Sequence, residues 1–252
     1  MSESIKYTSK NISDYYSKNR IQWNDFYESE RAIFVDTIKN KNSSILDLGC
    51  GCGGLGIALQ EKFGVEDYTG IDIQEDAIRL GKVLRPNANI HVDDIFDIQA
   101  DEIKSRKYDI VISLSCIDWN LNFDETLKAA WNLVSDGGIF ISTFRLTNGP
   151  TVNNIKTSFQ YINFEGKLDG EIAPYVVLNV NDLLGKLSDL DPTEIKASGY
   201  WGSPSKSAKT VYDSLCFSAF SIQKKQVDEI SKFKMSLNMP LNLFRLQNLE
   251  IK

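Results

Sequence analysis

The sequence predicts an α/β protein built on a mostly parallel sheet of seven strands, the last one antiparallel, with helices on both faces and a helical cover in front. Through the first 145 residues, apolar runs ending at Gly or Asp alternate with amphipathic stretches, which is the pattern of repeated βα units. Near the other end, two further runs, 193–200 and 213–223, are separated by the loop WGSPSKSAKT and are close enough to pair antiparallel. At 252 residues and 42% hydrophobic, the chain is long enough to bury all of this in one main domain.

Taken in order, residues 1–42 read as the cover. Two helices within 10–40 carry Tyr15, Tyr16, Trp23, Phe26, Tyr27 and Phe34, part of which packs as core and part of which covers a ligand. The core spans 43–145, with strands at 44–49, 67–72, 89–93, 108–113 and 138–144 and helices at 54–63, 75–84, near 100–105 and at 123–135. Gly137 and Gly138 supply the unusual φ needed before the fifth strand. Residues 146–180 have weak periodicity and scattered Asn, Gly and Pro, which marks an insertion of the kind that shapes a binding site. Residues 181–223 complete the sheet, with a helix near 180–188, and the Lys-rich extension 224–252 is expected to be helical in part.

Charge and composition narrow the function. A net charge of −6 disfavours nucleic acid, whose binding rests on Lys and Arg at phosphates. The polar start and the lack of any apolar run of about 18 residues predict neither a signal peptide nor a membrane span, hence a cytoplasmic protein. Four cysteines are too few for a disulfide framework. Cys50 and Cys52 are a weak metal pair because His91 is the one histidine of the chain, and His91 itself reads as structural. The expectation is no metal; the oligomeric state is left open.

The informative stretch is ILDLGCGCGGLGIAL, residues 45–59. Strand, glycine turn and helix form the geometry in which backbone N–H groups and a helix N-terminus face a ligand. Gly49, Gly51 and Gly54 satisfy GxGxxG and Asp72 ends the second strand, so an NAD-dependent oxidoreductase stands as an alternative. Asp47 weighs against it: a carboxylate in this buried strand would repel pyrophosphate and would match an ammonium group.

These residues resemble the class I S-adenosylmethionine-dependent methyltransferases, whose first motif is D-x-G-x-G-x-G; here it reads Asp47-Leu48-Gly49-Cys50-Gly51-Cys52-Gly53. The resemblance implies a Rossmann-like fold and S-adenosylmethionine as cofactor, with S-adenosylhomocysteine as product. It places the glycine backbone, with Cys50, along the amino acid end of the cofactor and Asp47 near its ammonium. Asp72 resembles the residue that holds the ribose hydroxyls, Ile73 its neighbour on the adenine, and Asp94 and Ile95, with Asp93 adjacent, the pair at the adenine edge and face. Ser113, closing the fourth strand, joins the same site. LVSDGGIFIST resembles the segment leading into strand five, with Ser135-Asp136 where L-x-P-G-G is usual.

Methyl transfer is an in-line displacement that gains most from positioning, a general base being optional. After the fourth strand, SLSCIDWNLNF offers Asp118 as base or hydroxyl-orienting group and Trp119 as an apolar wall. Arg145 would pair with an acceptor anion. Tyr16, Arg20 and Trp23 are cover candidates, and Tyr175, Tyr200, Trp201, Lys206 and Tyr212 mix aromatics with a cation, which suits a saccharide or a phosphorylated or nucleotide-linked precursor. The N/D-P-P-Y/F signature of amino methylation in DNA is absent. The expected protein is a methyltransferase acting on O or N of a small polar metabolite. The alternatives are the oxidoreductase, an RNA or protein methyltransferase, and a non-catalytic S-adenosylmethionine-binding protein.

Overall fold

A computed structural model describes residues 6–8, 11–163, 166–227 and 232–244. The N-terminal cover holds helices α1 (Asn11–Tyr16) and α2 (Glu28–Thr37). Alternating elements follow: β1 (Ile45–Leu48), α3 (Gly54–Phe63), β2 (Tyr68–Asp72), α4 (Glu75–Leu84), β3 (Ile90–Val92), α5 (Asp101–Lys104), β4 (Tyr108–Ser113), α6 (Phe123–Leu133) and β5 (Val134–Thr147). The distal part comprises β6 (Phe159–Tyr161), β7 (Ile172–Pro174), β8 (Leu178–Asn179), α7 (Val180–Ser188), β9 (Pro192–Gly202), β10 (Ala208–Lys209), β11 (Leu215–Lys224) and β12 (Lys234–Asn238).

The main sheet runs β12-β9-β11-β5-β4-β1-β2-β3, with β8 also on β5. Its seven expected strands are present, parallel from β3 through β5, and β11 lies antiparallel between β5 and β9. β1 is central and buried along its whole length, because strands flank it on both sides and helices cover both faces. One core packs β1, β4 and β5 against α6 and α7; a second lies under α2 and α3.

Two strands exceed the expected seven, and both correct the sequence reading. Within the Lys-rich extension, expected to be helical in part, residues 234–238 form a strand and Leu241–Leu243 a 3-10 turn, while 228–231 and 245–252 lie outside the described residues. The free edge of β9 offers unpaired main-chain groups, β12 takes them in parallel, and Leu237 packs on the main core. The insertion is also less irregular than its composition implies: β6 and β7 join β10 in a small antiparallel sheet, and β8 returns to the main one. That return has a geometric cause. β4 leaves the sheet at Ser113, opposite Ser142, so β5 has a free edge beyond it, and β8 fills it at Leu146 and Thr147. A smaller correction is that α6 ends at Leu133. Val134 already pairs with Tyr108, and the register shifts before Ile110 as the chain turns through Gly137 at φ 71°.

Candidate functional site

β1 and β2 end side by side, and the loop between β1 and α3 opens the site. Gly49, Gly51 and Gly53 all sit in the left-handed region, at φ 76°, 56° and 74°. Space demands glycine as well, since a Cβ on Gly49 would lie 2.8 Å from Cys116 Sγ. The loop corrects the expectation that its N–H groups face a ligand. Gly49 and Cys50 both donate to Ile71 O, Gly51 donates to the Asp72 carboxylate and Gly53 to Cys50 O. The N-terminus of α3 is covered too, because the Arg20 carbonyl packs on Gly54 so closely that a Cβ there would come within 2.2 Å of its oxygen. With these four donors taken up inside the protein and two carboxylates beside it, the loop is a poor anion cradle.

Those carboxylates are held differently. Asp72 accepts from Gly51 N and from Gln74 N, both at 2.8 Å, one on each oxygen. Asp47, 3% exposed, accepts from the Tyr68 hydroxyl at 2.5 Å. Gly56 makes this contact possible, since a Cβ there would stand 2.7 Å from the Tyr68 ring. Burial raises the Asp47 carboxyl to about 7, against the pull of Tyr68, and the neighbouring Asp72 charge adds to the rise. Burial likewise pushes Asp72 up, opposed by its two backbone donors.

A pH dependence of stability follows. Between the unfolded carboxylate value, about 4, and about 7, the folded chain keeps a proton on Asp47 that the unfolded chain has released, so stability from this group falls as pH rises through that window. Thermal melts of the ligand-free protein from pH 5 to 8 should show a steeper decline for the wild type than for Asp47→Asn. Parallel curves would refute the buried, protonated state.

A narrow recess, open to solvent, lies between this loop and the cover; Asp47, Gly49, Gly51, Tyr16, Arg20 and Phe26 are among its walls. The Tyr16 ring lies over Gly51. Arg20 pairs with fully buried Glu30 at 2.9 Å, with its guanidinium over Phe26 and Tyr27 at 4.7 and 5.4 Å. Glu30 also accepts from Tyr27 N at 2.8 Å, which fixes the start of α2.

Beyond β4, a single 3-10 turn (Ile117–Trp119) brings Asp118 against β5. Asp118 and Arg145 are each 4% exposed, and Nε of Arg145 stands 2.9 Å from Oδ2 of Asp118. That contact is Coulombic, since the Nε–H is not aimed at the oxygen; Nη2 donates instead to the Asp118 main-chain carbonyl. The guanidinium lies 5.0 Å from the Trp119 ring centre and 3.7 Å from that of Tyr175. The return of the chain toward β8 delivers Tyr175, as Val176 N donates to Asp118 O at 3.1 Å. Burial raises the Asp118 carboxyl and Arg145 opposes the rise. Oδ1 of Asp118 is buried without a hydrogen-bond partner.

The sequence-derived candidates thus form two groups: Asp47, Gly49, Cys50, Gly51, Gly53, Asp72, Tyr16 and Arg20 around the loop, and Asp118, Trp119, Arg145 and Tyr175 beyond it. Arg145 is engaged by Asp118 and the aromatics instead of presenting a bare cation. Trp23 stays outside both groups, packed on Phe34 and Phe63 at ring distances of 6.2 and 5.3 Å. Tyr200, 36% exposed, lies against Phe217 on β11. Ile73 is half-buried beside Asp72, and Ser113 is buried with its carbonyl accepting from Ser142 Oγ at 3.0 Å. Asp93 accepts from the N–H groups of Asp94, Gln99 and Ala100, so it organises the loop after β3. Half-buried Asp94 takes Phe96 N at 2.9 Å, and Ile95 packs on the main core. Among the described residues, no cluster of three or more His, Cys, Asp or Glu could hold a metal ion, and no helix is long and apolar enough to cross a membrane.

Sequence reasoning missed Tyr68, Leu114, Cys116 and Glu30. Tyr68 and Cys116 reach the site across elements, with no local signal, whereas Glu30 was legible as the third residue of a helix start at Tyr27.

Sheet order β3-β2-β1-β4-β5-β11-β9, the antiparallel β11 and the acidic glycine loop define the class I S-adenosylmethionine-dependent methyltransferase fold. The chain belongs to the methyltransferase-domain family, whose model matches residues 39–232. It is 29% identical over 144 residues to the putative methyltransferase 235L of Invertebrate iridescent virus 6, covering 56% of this chain and 51% of that one. It is 28% identical over 132 residues to the malonyl-[acyl-carrier protein] O-methyltransferase of Bacillus cereus, covering 51% and 46%. The chain thus spans about half the length of these curated relatives. Among solved structures, an S-adenosylmethionine-dependent methyltransferase from Methanosarcina mazei superposes with a TM-score of 0.57 at 16% identity, over 80% of this chain and 99% of that one; it speaks to the fold.

Proposed function

We propose that this chain transfers a methyl group from S-adenosylmethionine to an oxygen or nitrogen of a small polar acceptor. The observation that carries the reading is the glycine loop, with the N–H groups of Gly49, Cys50, Gly51 and Gly53 taken up inside the protein and Asp47 and Asp72 beside it. Such a site opposes a diphosphate and suits a ligand with an ammonium group at one end and a diol at the other, which disfavours the nicotinamide alternative. When bound, S-adenosylmethionine supplies an activated methyl on a sulfonium. Asp47 would release its proton as the ammonium arrives and then balance that charge, Asp72 would accept from the ribose hydroxyls through the lone pairs its backbone donors leave, and Tyr16 would cover the loop.

Asp118 is the residue for the acceptor. Arg145 favours its ionised form against burial, and its open Oδ1 can accept a hydrogen from a hydroxyl or amine. Both site arginines, Arg20 and Arg145, already face buried carboxylates, so the reading favours a neutral or amine acceptor over a phosphorylated one.

Calorimetry with S-adenosylhomocysteine, followed by mass spectrometry of an acceptor panel of alcohols, phenols and amines, tests the proposal. Absence of binding refutes it, and binding without turnover across the panel favours the non-catalytic alternative. Asp118→Asn should slow turnover by about 10²-fold while leaving cofactor affinity unchanged. An unaltered rate removes Asp118 from the chemistry.

A further inference from the structure

We propose that residues 6–8 are a strap closing the cofactor recess, with Tyr7 a further binding residue where the cofactor half meets the insertion; this rests on the function proposed above. The observation behind it is that two consecutive residues bond to two different segments, one just after Asp72 and one leading to Tyr175. On one side the Gln74 side-chain amide spans the Tyr7 main chain, its oxygen accepting from Tyr7 N at 2.7 Å and its nitrogen donating to Tyr7 O at 3.0 Å. Gln74 precedes α4 and lies two residues after Asp72. On the other side Thr8 N donates to both Glu171 carboxylate oxygens, at 3.0 and 3.1 Å, and the Thr8 hydroxyl donates at 3.3 Å. Glu171 immediately precedes β7, in the segment that carries Tyr175 to Arg145.

Tyr7 is half-buried between these anchors. Burial pushes its hydroxyl above the ordinary value, with Cys116, Tyr16 and Glu171 adding to the rise and Arg145 opposing it, so the phenol stands among residues of both site groups. Helix α1 lies over the same loop, where Ser13 O accepts from Cys52 Sγ at 3.6 Å and Tyr16 lies over Gly51. A cofactor seated on the loop would have residues 6–8 and α1 over it. The Thr8 contacts are exposed and involve no buried residue, so the strap can lift without disturbing the core.

The test uses the full chain and S-adenosylhomocysteine as probe, with association and dissociation followed by stopped-flow tryptophan fluorescence. Glu171→Ala loosens the latch equally in the free and bound protein, so both rate constants should rise together by about three- to tenfold with Kd changed less than about twofold. Tyr7→Ala also deletes a binding contact, so dissociation should rise more than association and Kd should weaken by about five- to tenfold. A merely structural role would not raise the association rate. Rates within about twofold of wild type in both variants overturn the strap alone. No binding by the wild type overturns the cofactor reading and the strap with it.

Discussion

Replacing Arg145 with methionine is expected to lower the melting temperature by roughly 6–20 °C, the largest stability loss anticipated at the site. Both members of the pair are 4% exposed, and the guanidinium is the cation beside the Asp118 carboxylate. Removing one partner of such a pair leaves a buried charge uncompensated and typically costs about 3–5 kcal/mol. In a chain of this length each kcal/mol corresponds to about 2–4 °C. Oδ1 of Asp118 has no partner to begin with, so the carboxylate cannot turn to another donor. The deficit should shrink at acid pH, where protonation neutralises the exposed fault, and should largely vanish in the double variant Asp118→Leu/Arg145→Met, which removes both charges. Melts at pH 5 and 8 check both points. A single variant as stable as the wild type would mean that the pair is solvated.

The second large effect is expected at Asp72, where Asp72→Ala should weaken S-adenosylhomocysteine binding by about 1–3 kcal/mol, or roughly five- to 150-fold. Two losses combine. The proposed charge-assisted bonds to a diol disappear, and so does the acceptor that holds Gly51 N at 2.8 Å, leaving the left-handed turn less ordered. Asp72→Asn keeps the shape and one good acceptor, so it should fall between wild type and alanine. Isothermal titration separates the three; unchanged affinity in Asp72→Ala would remove the residue from the binding site.

The acidic residues around the loop were legible because their surroundings in sequence were abnormal. Asp47 is a charge inside the apolar run ILDL, and Asp72 ends a strand a fixed distance beyond the glycines. The βα alternation was legible for a similar reason, since hydrophobic period and glycine punctuation are local. Tyr68 was not, because its contact with Asp47 depends on β2 lying beside β1 and on Gly56 leaving room for the ring. Arg145 was legible as a cation at a strand end, but its partner was not: Asp118 and Tyr175 reach it from two segments that meet only where β4 leaves the sheet and β8 replaces it. The edge strand β12 escaped notice because what stabilises it is the open edge of β9, not a pattern of its own.

By itself, then, the sequence determined the α/β class, the strands β1 to β5, β9 and β11 along the chain, the glycine turn and the acidic character of the recess. Each follows from short-range sterics and hydrophobic period, which act within a few residues. Tertiary structure decided which way the loop's N–H groups point, that both arginines are neutralised, and that the chain near Tyr7 ties the insertion to the cofactor side. The physical reason is that hydrogen-bond direction and charge pairing depend on what packs opposite, and those partners come from segments tens to more than a hundred residues apart.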